Sequence, residues 1–256
     1  MRKIISIANQ KGGVGKTTTA INLAASLAAA EKKTLLIDCD SQGNASSGLG
    51  ADREKIRERN LYHTLIGNLP LGEVIVETPM PQLDLAPADQ NLIGIEIEFV
   101  TLPDREKKLR DRIREMDRTY DFIIIDCPPS LGFLTINALV ASDFLIIPLQ
   151  CEYFALEGLG YLLNTLKLVR SRLNPTLALG GILLTMFDSR NLLSHRVSDD
   201  VRNHFGSSVF ETIIPRNVRL SECPSHGLPI ILYDIKSRGA VSYMELAREI
   251  LINGRM

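Results

Sequence analysis

Residues 11–18 read KGGVGKTT, directly after an apolar stretch at residues 4–8 and directly before a run of helix formers. A strand that ends in a glycine-rich turn and restarts as a helix aims several free backbone N–H groups, together with the positive end of the helix dipole, at one anion. The local structure is thereby fixed as strand, phosphate loop, helix. Gly12, Gly13, Val14, Gly15 and Thr18 supply the backbone of the cradle, Lys16 its charge and Thr17 a magnesium ligand. The usual pattern G-x-x-x-x-G-K-[ST] would put glycine at position 10, where this chain has Gln10. In exchange a second lysine, Lys11, opens the loop.

Short apolar runs without alternation recur at residues 4–8, 34–37, 83–86, 122–125, 144–148, 181–186 and 209–214. Runs of this kind suit strands buried on both faces. Helical candidates fall between and beside them at 18–30, 92–100, 105–116, 134–141, 156–173 and 194–205. The alternation predicts an α/β fold, a mostly parallel twisted sheet with helices on both faces, of P-loop NTPase type. Ligands in such sheets sit at the carboxyl ends of the strands. Without internal repeats or a Ser/Pro/Gly-rich linker, residues 1–256 read as a single domain. The polar, glycine-bearing segment 41–60 follows a strand end beside the phosphate loop and is expected to be a mobile switch loop.

Formal net charge is −1, so any polyanion binding has to come from a local patch. The four cysteines, Cys39, Cys127, Cys151 and Cys223, are too scattered for C-x-x-C pairs and read as reduced, buried thiols of a cytosolic chain. No run approaches the roughly 18 apolar residues of a membrane span. Residues 244–252 form a helix with Leu246, Ile250 and Leu251 on one side, expected to pack on the core rather than to anchor on a membrane. His63, His195, His204 and His226 have no ligand-like spacing.

Two strands end in acids. Residues 122–125 run into Asp126, Cys127, Pro128, Pro129 and Ser130, a Walker B element in which Asp126 meets the metal through water. Residues 34–37 run into Asp38, Cys39, Asp40, Ser41, Gln42, Gly43 and Asn44. A carboxylate there faces the nucleotide, and phosphoanhydride hydrolysis needs an acceptor that holds a water in line.

The loop opened by Lys11 resembles the ParA/MinD branch of nucleotide-hydrolysing enzymes, in which that lysine crosses to the partner subunit's nucleotide. The stretch 38–44 is similar to the D-x-D-P-Q-G-N that ends the second strand of ParA/Soj-type partitioning ATPases, with Ser41 in place of proline. Two more blocks resemble signatures of that family: QCEYFALEG at 150–158 and IPRNVRLSECPSHG at 214–227, the latter with Cys223 in place of alanine. The resemblance extends over essentially the whole chain.

It implies an ATPase that uses ATP and Mg2+, with Lys11, Lys16 and Asp40 as catalytic residues. Asp40 would orient the attacking water and join Thr17 and Asp126 at the metal, Asp38 would support the magnesium shell, and Pro215 and Asn217 would touch the base. Ser41 would loosen the switch backbone. The resemblance further implies an ATP-bound homodimer that binds double-stranded DNA without sequence preference through Arg190 and Arg219. Arg216, beside the nucleotide segment, is the more ambiguous third arginine. A ParB-type centromere-binding partner would stimulate hydrolysis, in a cytoplasmic, nucleoid-associated cycle with no membrane. Two alternatives stand beside this reading: a MinD-like membrane-cycling division regulator, and a metabolic ATP-dependent ligase of dethiobiotin-synthase type.

Overall fold

The computed structural model describes residues 2–152 and 155–252, with the backbone alone for 155–157. The apolar runs become strands β1 (Lys3–Ile7), β2 (Thr34–Asp38), β4 (Leu83–Ala86), β5 (Phe122–Asp126), β6 (Phe144–Gln150) and β7 (Ala178–Thr185), and a two-residue strand, β3 (Val76–Glu77), precedes β4. They lie in one seven-stranded sheet of order β3-β4-β2-β5-β1-β6-β7, in which only the edge strand β3 runs antiparallel. β3 carries no sequence signal because two residues cannot display a period.

Successive side chains of a strand point to opposite faces, and the alternation divides the interior in two. Leu35, Ile37, Ile123, Ile125, Leu145 and Ile147 enter one core with Leu109 and Ile113 of helix Lys108–Glu115, Leu139 of helix Phe133–Ala141 and Val201 of helix Leu192–Phe205. Leu36, Ile124 and Ile146 enter the other with Leu23 and Leu27 of helix α1 (Lys16–Ala29) and with Tyr243, Leu246 and Ile250 of helix Arg238–Ile252. Each such side chain contributes about 1.5–3 kcal/mol on burial. Tyr243 Oη and Thr19 Oγ1 share a hydrogen bond of 3.1 Å that joins the last of these helices to α1. Helix Arg238–Ile252 therefore spends its apolar face on the core, as its sequence predicts.

Three expectations need correction. Residues 209–214 are not a strand of the sheet. They make one isolated bridge, Ile182 to Val209, and the Glu249 carboxylate takes the N–H groups of Glu211 at 2.9 Å and Thr212 at 3.0 Å. Phe210 N and Ile214 N still donate to β7, at Ile182 O (3.0 Å) and Leu184 O (2.9 Å), so the Glu249 side chain interrupts the pairing between them. Residues 92–100 do not form one helix but a 3-10 turn (Gln90–Gly94), one α turn (Ile95–Glu98) and a second 3-10 turn (Phe99–Thr101). Glu96 is held there by the N–H groups of Phe133 at 3.1 Å and Leu134 at 3.4 Å. Residues 41–60 are no open loop: they contain helix α2 (Asn44–Gly48) and the turn Arg53–Ile56, with Asn60 fully buried.

Candidate nucleotide site

The strand order sets β2, β5 and β1 side by side, and their register aligns Asp38, Asp126 and Ile7 in one row at the carboxyl edge. The phosphate loop rises from the end of β1 at this row. Gly13 (φ 75°) and Gly15 (φ 87°) take left-handed conformations that a side chain would strain, and Gly15 is the residue from which α1 starts. Buried Thr185 Oγ1, at the end of β7, donates to Val14 O at 2.9 Å and pins the loop from the other side.

The two lysines of the loop are sorted. Lys16 is buried and its Nζ donates to Lys11 O at 3.0 Å, across the space the loop encloses. Burial lowers its pKa, against the pull of Asp126, Cys127 and Asp40. Lys11 points to the rim and pairs with Glu152 Oε2 at 2.6 Å.

Behind the loop the acids differ. Asp38 is fully buried and accepts from Asp40 N at 3.1 Å, Ser46 N at 2.8 Å and Ser46 Oγ at 2.7 Å. Burial still pushes it up to about 6, with the Ser46 bonds acting against the rise. Ser46 Oγ in turn accepts from Ala88 N at 2.9 Å, so α2 is fastened to both β2 and the chain after β4. Asp40 spends one oxygen on Gln42 N at 3.0 Å, and its carbonyl closes a turn with Gly43 N at 2.9 Å. That turn forms with Ser41 at its second position, without the proline that the resemblance places there.

Asp126 is fully buried, and neither carboxylate oxygen has a hydrogen-bond partner. Its pKa is held well above the ordinary carboxylate range, first by burial and then by Asp38, with the Thr17 hydroxyl, nearby but outside full hydrogen-bond geometry, acting against both. An uncommitted pair of hard oxygens beside a hydroxyl is the donor type that magnesium takes. Among the described residues no three His, Cys, Asp or Glu side chains converge into a cage. Magnesium in phosphate-transfer sites takes one or two carboxylates and lets phosphates and water complete the shell, so Thr17, Asp126 and Asp40 fit it.

Beyond the loop a cavity of about 530 Å³ is lined by Gly15, Thr18, Met186, Pro215, Asn217 and Tyr243, among others. Asn217 Oδ1 is buried there with no hydrogen-bond partner. Pro215 and Asn217, named from sequence, therefore reach the same site as Thr18, whereas Met186, at φ 50°, went unread. Its left-handed backbone leaves no trace in sequence.

Arg190 and Arg219 are exposed, as predicted, but neither is a free charge. Arg190 makes a two-pronged pair with Asp188, at 3.0 and 2.9 Å, which pushes that carboxyl down to about 2. Arg219 bonds Glu222 at 2.8 Å and lies 3.6 Å from Asp234. Arg216 is exposed and lines the 530 Å³ cavity. The partners Asp188, Glu222, Glu152 and Ser46 were not singled out from sequence, although Glu152 stands inside the QCEYFALEG block. Tyr153 and Phe154 of that block, and residues 253–256, lie outside the described residues.

A family model described as an AAA domain matches residues 2–179. Over 249 residues the chain is 57% identical to the chromosome partitioning protein ParA of Myxococcus xanthus, covering 97% of this chain and 88% of that protein. It is 53% identical to the sporulation initiation inhibitor protein Soj of Bacillus subtilis, covering 99% and 100%. A crystal structure of cobyrinic acid a,c-diamide synthase from Mycobacterium smegmatis, with bound ADP and magnesium, superposes with a TM-score of 0.87 at 36% identity, covering 100% of this chain and 96% of that one. Identity is far higher with the two partitioning proteins than with this synthase. The chain belongs to the ParA/Soj-type partitioning ATPases.

Proposed function

We propose that this chain is a dimerising, Mg2+-dependent ATPase of chromosome or plasmid segregation, working as one domain. Its ATP-bound dimer holds nucleoid DNA without sequence preference, and a ParB-type partner stimulates the hydrolysis that releases it. The sorting of Lys11 and Lys16 carries this reading. One lysine faces the chain's own phosphate cradle, while the other stands at the rim, its side chain 40% exposed, where a second molecule's phosphate can reach it. Gly12 adds support: it has an ordinary backbone φ, and nothing lies within 4 Å of where a Cβ would stand. Nothing in the described protomer requires glycine there, whereas close approach of a second backbone does.

Bound magnesium neutralises phosphate charge. The chain's own residues do the rest. Lys16 exchanges the Lys11 carbonyl for phosphate oxygens, and the loop N–H groups and the start of α1 hold the anion. Asp126, with Thr17, faces the metal. Asp40, whose second oxygen has no donor among the described residues, holds the attacking water in line. Met186 and Pro215 bound the base, and Asn217 Oδ1 accepts from its amino group.

Each DNA-facing arginine exchanges a half-buried carboxylate for a DNA phosphate, and a dimer presents each twice. Against the membrane-cycling alternative, Leu246 and Ile250 of the last helix are fully buried in the core. No described helix is long and apolar enough to cross a membrane. The test is retention on random-sequence DNA, run beside anionic liposomes, with ATP or ADP. Salt-sensitive DNA retention with ATP alone is expected. Arg219→Ala should weaken it and lower the salt slope by about one unit for each DNA phosphate that the variant leaves unneutralised. Liposome retention without DNA retention would overturn the reading.

A further inference from the structure

Both ends of the ion pair between Lys11 and Glu152 are tethered to the end of β6. Asn9 Nδ2 donates to Pro148 O at 2.7 Å while Asn9 Oδ1 accepts from Lys11 N at 3.0 Å, so the first residue of the phosphate loop hangs from that strand. On the other side Glu152 N donates to Gln150 O at 2.8 Å, and Glu152 Oε1 accepts from Gln150 Nε2 at 2.6 Å. That tight turn presents the remaining oxygen, Oε2, to Lys11 Nζ at 2.6 Å. The Glu152 carboxylate is thereby held in place before Lys11 meets it, so the freedom lost when the pair closes is mainly that of the lysine side chain.

We propose that Glu152 is a positioning residue that latches Lys11 within its own protomer and must surrender it to phosphate when two chains share their nucleotides. The proposal rests on the reading of Lys11 as a shared residue. The latch gives the switch its selectivity by simple exchange. A single carboxylate holds the ammonium, and a terminal phosphate bound to magnesium in the second protomer, with its greater charge and three oxygens, displaces it. ADP brings no such group. A two-fold dimer opens two latches at once, so the effect of each multiplies in the dimer constant.

The test is sedimentation equilibrium of the whole chain with AMPPNP and Mg2+, comparing wild type with Glu152→Gln across a salt series. The amide keeps the shape and the hydrogen-bonding reach but removes the charge. At roughly half exposure, each latch should weaken association about two- to fivefold, so Glu152→Gln should tighten the dimer about 4- to 25-fold. The gain should shrink as salt screens the wild-type pair, a trend that a merely structural role would not produce. If wild type dimerises and Glu152→Gln dimerises equally or less well, the latch is overturned while the shared site stands. If wild type stays monomeric with AMPPNP, the shared-site reading fails and the latch with it.

Discussion

Asp38 and Asp126 occupy the same register position on adjacent strands, and both are completely buried. Asp38 accepts full hydrogen bonds from Asp40 and Ser46, whereas Asp126 accepts none of full geometry and has only the nearby Thr17 hydroxyl beside it. An unpaired buried carboxylate opposes folding, and a protein keeps one only where something else is to meet it. Asp38 is thus spent on structure: it folds the chain after β2 back into α2. On the proposed reading, Asp126 is kept for the ligand. Two acids that look equivalent at strand ends divide the labour of one site, one shaping the switch and the other awaiting charge.

The comparison breaks most visibly in turnover. Asp126→Asn should reduce ATP hydrolysis about 100- to 1000-fold, measured by phosphate release with saturating magnesium, because the metal loses the uncommitted one of its two carboxylates, Asp126 and Asp40. A smaller loss would mean that Asp40 or Asp38 carries the metal instead. Asp38→Ala should act first on stability. It strands the Ser46 hydroxyl and two backbone N–H groups, and relief of the buried charge offsets only part of this, so a urea titration should show a loss of about 2–3 kcal/mol. The smallest effect sharpens the same contrast. The turn from Asp40 to Gly43 closes without proline, and Ser41 N donates to nothing among the described residues. Ser41→Pro should therefore raise stability by about 0.4–1 kcal/mol through the unfolded chain, with the turn unchanged.

The layout of the sheet was legible because apolar runs of four or five residues, punctuated by Gly, Asp and Pro, leave few options but buried parallel strands. The phosphate loop and both acidic strand ends were legible for the same reason. What sequence could not give was the difference between the acids. It depends on Ser46, eight residues downstream of Asp38, turning back through α2 to donate twice. Residues 209–214 misled because their apolar pattern is that of a strand. Their burial is real, at Val209, Phe210 and Ile214, and β7 accepts from Phe210 N and Ile214 N, but between these Glu249, far along the chain, takes the N–H groups of Glu211 and Thr212 and breaks the ladder. Arg190 and Arg219 were singled out through the family resemblance, and their carboxylate partners lie two residues away in one case and on two different segments in the other. In each case the missing knowledge is a side chain's partner, which three-dimensional proximity decides.

Thermal unfolding of wild type and Asp126→Asn, without nucleotide and with AMPPNP and Mg2+, tests the division of labour most directly. Removing the unpaired charge should stabilise the free protein by about 1–3 kcal/mol, raising Tm by roughly 2–10 °C. With nucleotide and magnesium the order should reverse, wild type gaining the stabilisation that binding supplies and Asp126→Asn gaining little. A free Asp126→Asn protein that melts at or below the wild-type temperature would contradict the claim that Asp126 is held in reserve for the ligand.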